Sequence, residues 1–120
     1  LPLFGIIPKK SKNKTKKGAI MHKITNKASF AFNGGGEFKE NNTIVKNNAL
    51  FLHGYKIAWK DGGQTCFCLH GWNTQTTRER LRGLGLPIKV KRGKLYFDNL
   101  EINADDAYKV DDGGNCVKIN

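Results

Sequence analysis

The residues best suited to binding an anion lie between positions 71 and 82. Threonine and arginine side chains follow one another there at short spacing, as Thr74, Thr76, Thr77, Arg78, Arg80 and Arg82. The start of a helix offers unpaired backbone amides and a partial positive charge, and arginine adds bidentate hydrogen bonds, so a phosphate would bind well there. A structural interpretation explains the same residues, because Thr76 could cap a helix, Trp72 could fill the core and the arginines could form a solvated face.

A second basic segment lies at the beginning of the chain. Residues 1–27 contain eight lysines and no acidic residue, which gives this segment a charge of +8 out of the formal net charge of +11. Six of these lysines are concentrated between positions 9 and 17, and they are Lys9, Lys10, Lys12, Lys14, Lys16 and Lys17. Cations at this density favour a polyanionic partner, although an arm that merely keeps the protein in solution has a similar composition.

The composition argues against catalysis and against metal binding. The residues that most often carry such chemistry are His22, His53, His70, Cys66, Cys68 and Cys116. No carboxylate stands near the histidines at a catalytic spacing, and the chain has no P-loop, nucleophile elbow or H-E-x-x-H motif. The cysteines lack the paired ligand spacing of a structural zinc site. We therefore expect no enzymatic activity, no cofactor and no bound metal.

Aromatic side chains are candidates for stacking on unpaired bases. Strand alternation is expected to direct Phe51 and Phe67 into the core and to expose Tyr55 and Tyr96. Because most aromatic residues of a sheet belong to the core, a stacking surface is the less favoured of the two interpretations.

A short helix is predicted after Trp72. Thr76 and Glu79 have the spacing of a capping box, in which each side chain accepts a hydrogen bond from the backbone amide of the other residue. Gly85 and Pro87 are expected to end the helix. Leu81 and Leu84 then form an apolar side, and Arg78 and Arg82 share a basic side at a spacing of i and i+4.

Strands are predicted on both sides of this helix. Residues 49–52, 56–59 and 64–70 are separated by glycine-containing turns and predict a three-stranded antiparallel meander. Residues 28–32 form a short apolar run, for which we predict a separate strand.

A second hairpin is predicted after the helix, where residues 86–90 and 94–97 flank a turn that ends in Gly93. The apolar side chains of this hairpin that should face the core are Ile88, Val90, Leu95 and Phe97.

These elements predict an α+β fold, with a small antiparallel sheet of about five short strands and one short helix. The length of 120 residues and the hydrophobic fraction of 38% suit one modest core. We expect the folded domain to cover residues 28–103, with a flexible basic arm at 1–27 and an acidic tail at 104–120.

Residues 42–103 resemble a small domain that recurs in proteins of tailed bacteriophages. Segment 71–81 carries the most telling part of the resemblance, because such domains read G-W-x-T/S-x-T-T-x-x-R-L/I before their helix. Segments 48–58 and 93–97 complete it. The resemblance implies a phage or prophage origin and a compact ββββ plus helix domain, but it implies no particular activity. It leaves the basic arm and the acidic tail outside the similar region.

Together these features predict a phage-encoded protein that binds DNA or RNA without catalysing a reaction. The side chains expected to contact phosphate are Lys9, Lys10, Lys12, Lys14, Lys16, Lys17, Arg78, Arg80, Arg82, Lys91 and Arg92. The alternatives are a protein that binds and modulates a host or virion protein, and a structural component of the virion. No apolar run approaches the ~20 residues of a transmembrane helix, so we expect no membrane partner and a location in the host cytoplasm or the virion.

Overall fold

The computed structural model describes the backbone of residues 16–120 and the side chains from residue 23 onward. This part of the chain forms two helices and ten strands. In chain order they are α1 (Lys16–Gly34), β1 (Phe38–Glu40), β2 (Thr43–Lys46), β3 (Ala49–Leu52), β4 (Tyr55–Asp61), β5 (Gln64–Cys68), α2 (Gln75–Gly83), β6 (Ile88–Lys91), β7 (Lys94–Phe97), β8 (Leu100–Ile102), β9 (Ala107–Val110) and β10 (Cys116–Lys118). The α+β class is confirmed, whereas the predictions of about five strands and one helix are too low.

The strands form two antiparallel sheets. The larger has seven strands in the order β1-β2-β3-β4-β5-β9-β10, and the smaller has three in the order β6-β7-β8. The predicted meander β3-β4-β5 and the predicted hairpin β6-β7 are both present. The additional strands β1 and β2 are joined by an Asn-Asn turn in which Asn41 has a positive φ of 56°, a conformation that asparagine tolerates better than most residues. A turn without glycine gave no hairpin signal in the sequence.

Helix α1 replaces two predictions at the beginning of the chain. Residues 28–32 are helical and not a strand, because the buried side chains recur at the spacing of a helix, as Ile24, Ala28, Ala31 and Phe32. The prediction of a flexible arm is wrong for residues 23–27, since they belong to the same helix and the side chains of Ile24 and Thr25 are buried. Residues 1–15 of the predicted arm lie outside the described residues.

Both helices and the smaller sheet pack on one face of the larger sheet. The core contains Phe32 of α1, Leu81 of α2 and Phe97 of β7 together with Leu50 and Phe67 of the larger sheet. The ring of Phe67 stacks on Phe97 and on Tyr108 at centroid distances of 5.8 and 5.5 Å. We call this covered side of the larger sheet the inner face and the opposite side the outer face.

The second hairpin directs most of its apolar side chains as predicted. Ile88, Leu95 and Phe97 are buried, but Val90 is 40% exposed. Strand β6 is an edge strand of the smaller sheet, and Val90 lies at its end beside the turn to β7. The side chain therefore lacks the neighbours that cover Ile88.

The predicted acidic tail contributes two strands to the larger sheet. Strand β9 pairs with β5, so that Tyr108 lies opposite Phe67, and β10 pairs with β9. Tyr108 is buried, and its hydroxyl accepts a hydrogen bond of 2.8 Å from the backbone amide of Asn103. The segment predicted as an acidic tail therefore supplies part of the core. The expectation that the folded part of the chain is a single domain stays a prediction.

Candidate nucleic-acid interface

Helix α2 begins two residues earlier than predicted. Thr74 is the N-cap, and its hydroxyl accepts a hydrogen bond of 3.2 Å from the backbone amide of Thr77. The hydroxyls of Thr74 and Thr77 are also 2.9 Å apart. Thr76 and Glu79 therefore lie inside the helix, and the predicted capping box between them is wrong. The Thr74 hydroxyl already occupies one of the amides that the sequence offered to a phosphate.

Arg80, one of the predicted phosphate-binding residues, is buried between α1 and β2. Its Nη1 donates a hydrogen bond of 2.6 Å to the Thr25 hydroxyl, and its Nε donates one of 3.1 Å to the Thr43 hydroxyl. The side chain is only 4% exposed, and burial lowers the pKa of its guanidinium. The structure thus corrects the prediction for Arg80, which holds elements together and does not reach the surface.

Arg78 and Arg82 lie at the surface of α2. Nη1 of Arg78 donates hydrogen bonds to the backbone and side-chain oxygens of Asn73 at 2.9 and 2.6 Å. Burial lowers the pKa of Arg78, and the positive charge of Arg82 lowers it further. Nη1 of Arg82 donates to the backbone oxygen of Ile88 at 3.1 Å. Since a guanidinium has five N–H donors, both side chains keep donors for a further partner.

Lys91 and Arg92, the other predicted residues of this patch, are exposed at the turn between β6 and β7. Nζ of Lys91 lies 6.0 Å from the centroid of the Tyr96 ring. Arg82 contacts Ile88, and Lys91 lies three residues further along the same strand. Three residues of a strand span about 10 Å. The surface residues of the patch are therefore spread along β6.

The lysines predicted in the arm are mostly outside the described residues. Lys9, Lys10, Lys12 and Lys14 belong to that group. The backbones of Lys16 and Lys17 form the first turn of α1.

A cavity of about 220 Å³ opens at the N-terminal end of α2. Its lining consists of Leu52, His53, Ile57, Trp72, Thr74, Thr76 and Thr77. Trp72 is 49% exposed, so it does not fill the core as the structural interpretation proposed. The ring of Tyr55 lies 6.0 Å from that of Trp72 and 5.5 Å from that of His70. This end of the molecule therefore presents exposed rings beside an apolar hollow.

The outer face of the larger sheet carries a second group of cations and rings. Residues paired across adjacent strands point to the same face. The row that contains buried Leu50 and Phe67 is the inner one, so the alternate rows define the outer face. These rows place on it Lys39, Ile44, Lys46, Phe51, Lys56, Trp59 and Lys109. Because both helices and the smaller sheet pack on the inner face, no helix or strand of residues 16–120 covers this group.

Lysine ammonium groups lie next to both aromatic rings of the outer face. Nζ of Lys46 is 5.9 Å from the centroid of the Phe51 ring, and Nζ of Lys56 is 5.1 Å from that of Trp59. Cys66 lies fully buried in the same row as Trp59, and burial raises the pKa of its thiol. Lys109 forms an ion pair with Asp61 at 3.2 Å, so one lysine of this face is already neutralised.

Sequence reasoning missed this group because it assigned Phe51 to the wrong face. Phe51 was expected to point inward, but Leu50 and Leu52 occupy the inner positions of β3 and Phe51 lies half-buried on the outer face. The available signal was the alternation of β3 itself, in which two leucines flank the phenylalanine. The inward position of Phe67 and the exposure of Tyr55 are confirmed, and Tyr96 is half-buried.

The described residues show neither a metal centre nor a membrane-spanning helix. Nowhere among them do three or more histidine, cysteine or acidic side chains come together as metal ligands would. Cys66, Cys68 and Cys116 are free thiols. Neither helix, within the part that the structure describes, combines the length and hydropathy needed to cross a bilayer.

Comparison with known proteins connects this fold to a family of phage proteins. The family described as Kyanoviridae Gp96 protein matches residues 21–115, which cover most of α1 and reach the loop before β10. The match is longer than the region 42–103 that resembled a phage domain, and it includes parts of the predicted arm and tail. No curated protein and no solved structure matches the chain significantly. The phage origin is thereby confirmed, and the chain belongs to the Kyanoviridae Gp96 protein family.

Proposed function

We propose that this phage protein binds nucleic acid through its phosphates and does not catalyse a reaction. The observation that supports the proposal is the composition of the outer face. Four lysines lie on it, at positions 39, 46, 56 and 109, and Asp61 is the carboxylate paired with one of them. An uncovered surface with a cationic excess attracts a polyanion, and lysine binds phosphate as a point charge.

The basic residues elsewhere would add affinity that does not depend on base sequence. The lysines between positions 9 and 17 add further positive charge to the chain. A second, more dispersed basic surface lies along α2 and β6, and it consists of Arg78, Arg82, Lys91 and Arg92. Each phosphate that these cations neutralise releases condensed counterions, so the affinity should fall steeply with salt. The proposed place of action is the cytoplasm of the infected bacterium or the virion.

The proposal is tested by fluorescence anisotropy with labelled DNA and RNA at about 50 mM and 200 mM salt. A double variant, Lys46→Gln with Lys56→Gln, should bind more weakly than the unmodified chain. It should also reduce the slope of log affinity against log salt by about 0.7 to 0.9 for each phosphate that the variant no longer neutralises. The matched control changes two exposed lysines of α1, Lys23→Gln with Lys27→Gln, and should have a smaller effect. Absence of binding at low salt would refute the proposal.

The exposed rings beside the cavity favour a protein partner as the second candidate. Trp72 and Tyr55 are 49% and 45% exposed, and large aromatic side chains at the edge of an apolar hollow are typical of protein–protein contact sites. The partner would be a host or virion protein. A nuclease-treated pull-down that recovers one stoichiometric protein with the unmodified chain, but not with Trp72→Ala, would favour this function. Mass spectrometry of purified particles would show whether the chain is a virion component.

A further inference from the structure

We infer that the outer face binds single-stranded nucleic acid, with bases stacked on Phe51 and Trp59 and phosphates held by Lys46 and Lys56; this inference rests on the proposed function. Phe51 and Trp59 lie on the adjacent antiparallel strands β3 and β4. Phe51 pairs with Lys56, and Trp59 pairs with Ala49. The two rings are therefore diagonal neighbours on one face, at a typical spacing of about 7–8 Å.

A β-bulge creates this arrangement. The register of β3 and β4 shifts between Leu50 and Phe51, so that Ile57 is an extra residue of β4. With regular alternation from Trp59, Ile57 would point to the outer face and Lys56 to the inner one. The bulge reverses both, since Ile57 is 2% exposed in the core and Lys56 lies over the Trp59 ring. Bulges commonly redirect a side chain next to a functional site.

Small residues flank Trp59 on the adjacent strands. The residues paired with it on either side are Ala49 of β3 and Cys66 of β5, which are both small and buried. Larger side chains on those two strands would stand next to the indole. The lysine that now lies over the ring is long and flexible, so it can move aside to a phosphate when a base takes its place.

The chemistry of this surface selects a single strand over a duplex. The bases of a duplex stack on one another and hide their faces, whereas the bases of a single strand are free to stack on aromatic side chains. A duplex laid on the outer face would contact the lysines through its phosphates and would make no use of the rings. A single strand can use both, because its unpaired bases can stack on the rings while its phosphates contact the lysines.

The test compares a labelled oligo-dT strand, its RNA counterpart and a duplex of equal length at one salt concentration, using the full chain. The single strands should bind more tightly than the duplex. Replacing either ring, by Phe51→Leu or Trp59→Leu, should weaken single-strand binding by about fivefold to a hundredfold and leave duplex binding unchanged. Phe30→Leu is the matched control, because Phe30 is 85% exposed on α1 and should be irrelevant to binding. Trp59→Phe should restore most of the affinity.

A second measurement leaves the outer face intact. The chain has two tryptophans, so Trp72→Phe makes Trp59 the sole source of indole fluorescence. Oligo-dT should quench this fluorescence on binding, whereas the duplex should quench it little. Equal affinity for single strand and duplex, with no effect of the ring variants and no quenching, would overturn the inference while leaving the proposed function in place. Failure of every nucleic acid to bind at low salt would overturn both.

Discussion

Nη1 of Arg80 donates a hydrogen bond of 2.6 Å to the hydroxyl of Thr25, and this bond joins helices α1 and α2 across 55 positions of the sequence. Nε of the same guanidinium donates to Thr43, so one side chain connects two helices and a strand. The charge is buried, and a buried cation is tolerated only where hydrogen bonds compensate for the loss of water.

Replacing Arg80 should destabilise the fold more than replacing a neighbouring arginine. Arg80→Met leaves the hydroxyls of Thr25 and Thr43 without this donor, and we expect the free energy of unfolding to fall by about 1–3 kcal/mol. Arg82→Met, on the exposed side of the same helix, should change it by about 0.5 kcal/mol or less. Urea denaturation measures both. Equal losses for the two variants would contradict the structural role of Arg80.

The close approach of the two helices predicts opposite effects for two glycines. A β-carbon on Gly83 would overlap Cγ2 of Thr25, and the carbonyl of Gly83 accepts a hydrogen bond of 2.7 Å from Ser29. Gly83→Ala should therefore lower the free energy of unfolding by about 1–3 kcal/mol, because the helices must move apart. Gly34→Ala, in α1 with open space around it, should be neutral or stabilising. Thermal unfolding of both variants decides whether the helices approach as tightly as described.

The start of helix α2 can be tested by comparing two threonines. Thr74→Ala removes the N-cap and should cost about 0.5–2 kcal/mol of stability. Thr76→Ala should cost less, because Thr76 lies within the helix, where alanine is favourable. The measurement is the free energy of unfolding in urea. A larger loss for Thr76→Ala would restore the capping box that the sequence suggested.

The raised pKa of Cys116 predicts that the free energy of unfolding depends on pH in the alkaline range. Burial raises the pKa of its thiol from 9.0 to about 11, so the folded state disfavours the thiolate. The unfolded chain loses this proton near pH 9, and the contribution of the group to stability should therefore be fully present below that pH. It should be lost as the pH rises toward 11.

Two measurements check the Cys116 prediction. The unfolding free energy of the unmodified chain, relative to that of Cys116→Ala, should fall as the pH rises from 9 to 11. Alkylation by iodoacetamide, followed by peptide mass spectrometry, should be slow at Cys116 at pH 8 and accelerate toward pH 11. Rapid alkylation at pH 8 would show that the thiol is not shielded.

Hairpins and the short helix, which depend on residues close together in the chain, could be predicted from the sequence. The turn residues Gly62 and Gly63, both at positive φ, predict the β4-β5 hairpin, and Gly93 predicts the β6-β7 hairpin. Leu81 is buried on the apolar side of the predicted helix. These predictions hold because a hairpin or a short helix depends mainly on the backbone preferences of a few consecutive residues.

Helix α1 could have been predicted from the sequence, but its composition obscured the helical pattern. Its buried positions 24, 28, 31 and 32 have helical spacing. The lysines and asparagines around them suggested an unstructured arm, and the apolar run at 28–32 suggested a strand. Tertiary packing decided the outcome, because the apolar side of this helix is stabilised by the sheet on which it lies.

The sequence by itself determined the class of the fold, the cationic excess and the phage origin. The first two follow from local periodicity and composition, and the third follows from the family match over residues 21–115. Only the tertiary structure decided which cations reach a common surface. It buried Arg80, and it brought Lys46, Lys56 and Lys109, from β2, β4 and β9, onto one face. The physical reason is that pairing between strands sets which side chains share a face. The bulge between the neighbouring strands β3 and β4 turns Lys56 outward, and the pairing of β9 with the distant strand β5 adds Lys109.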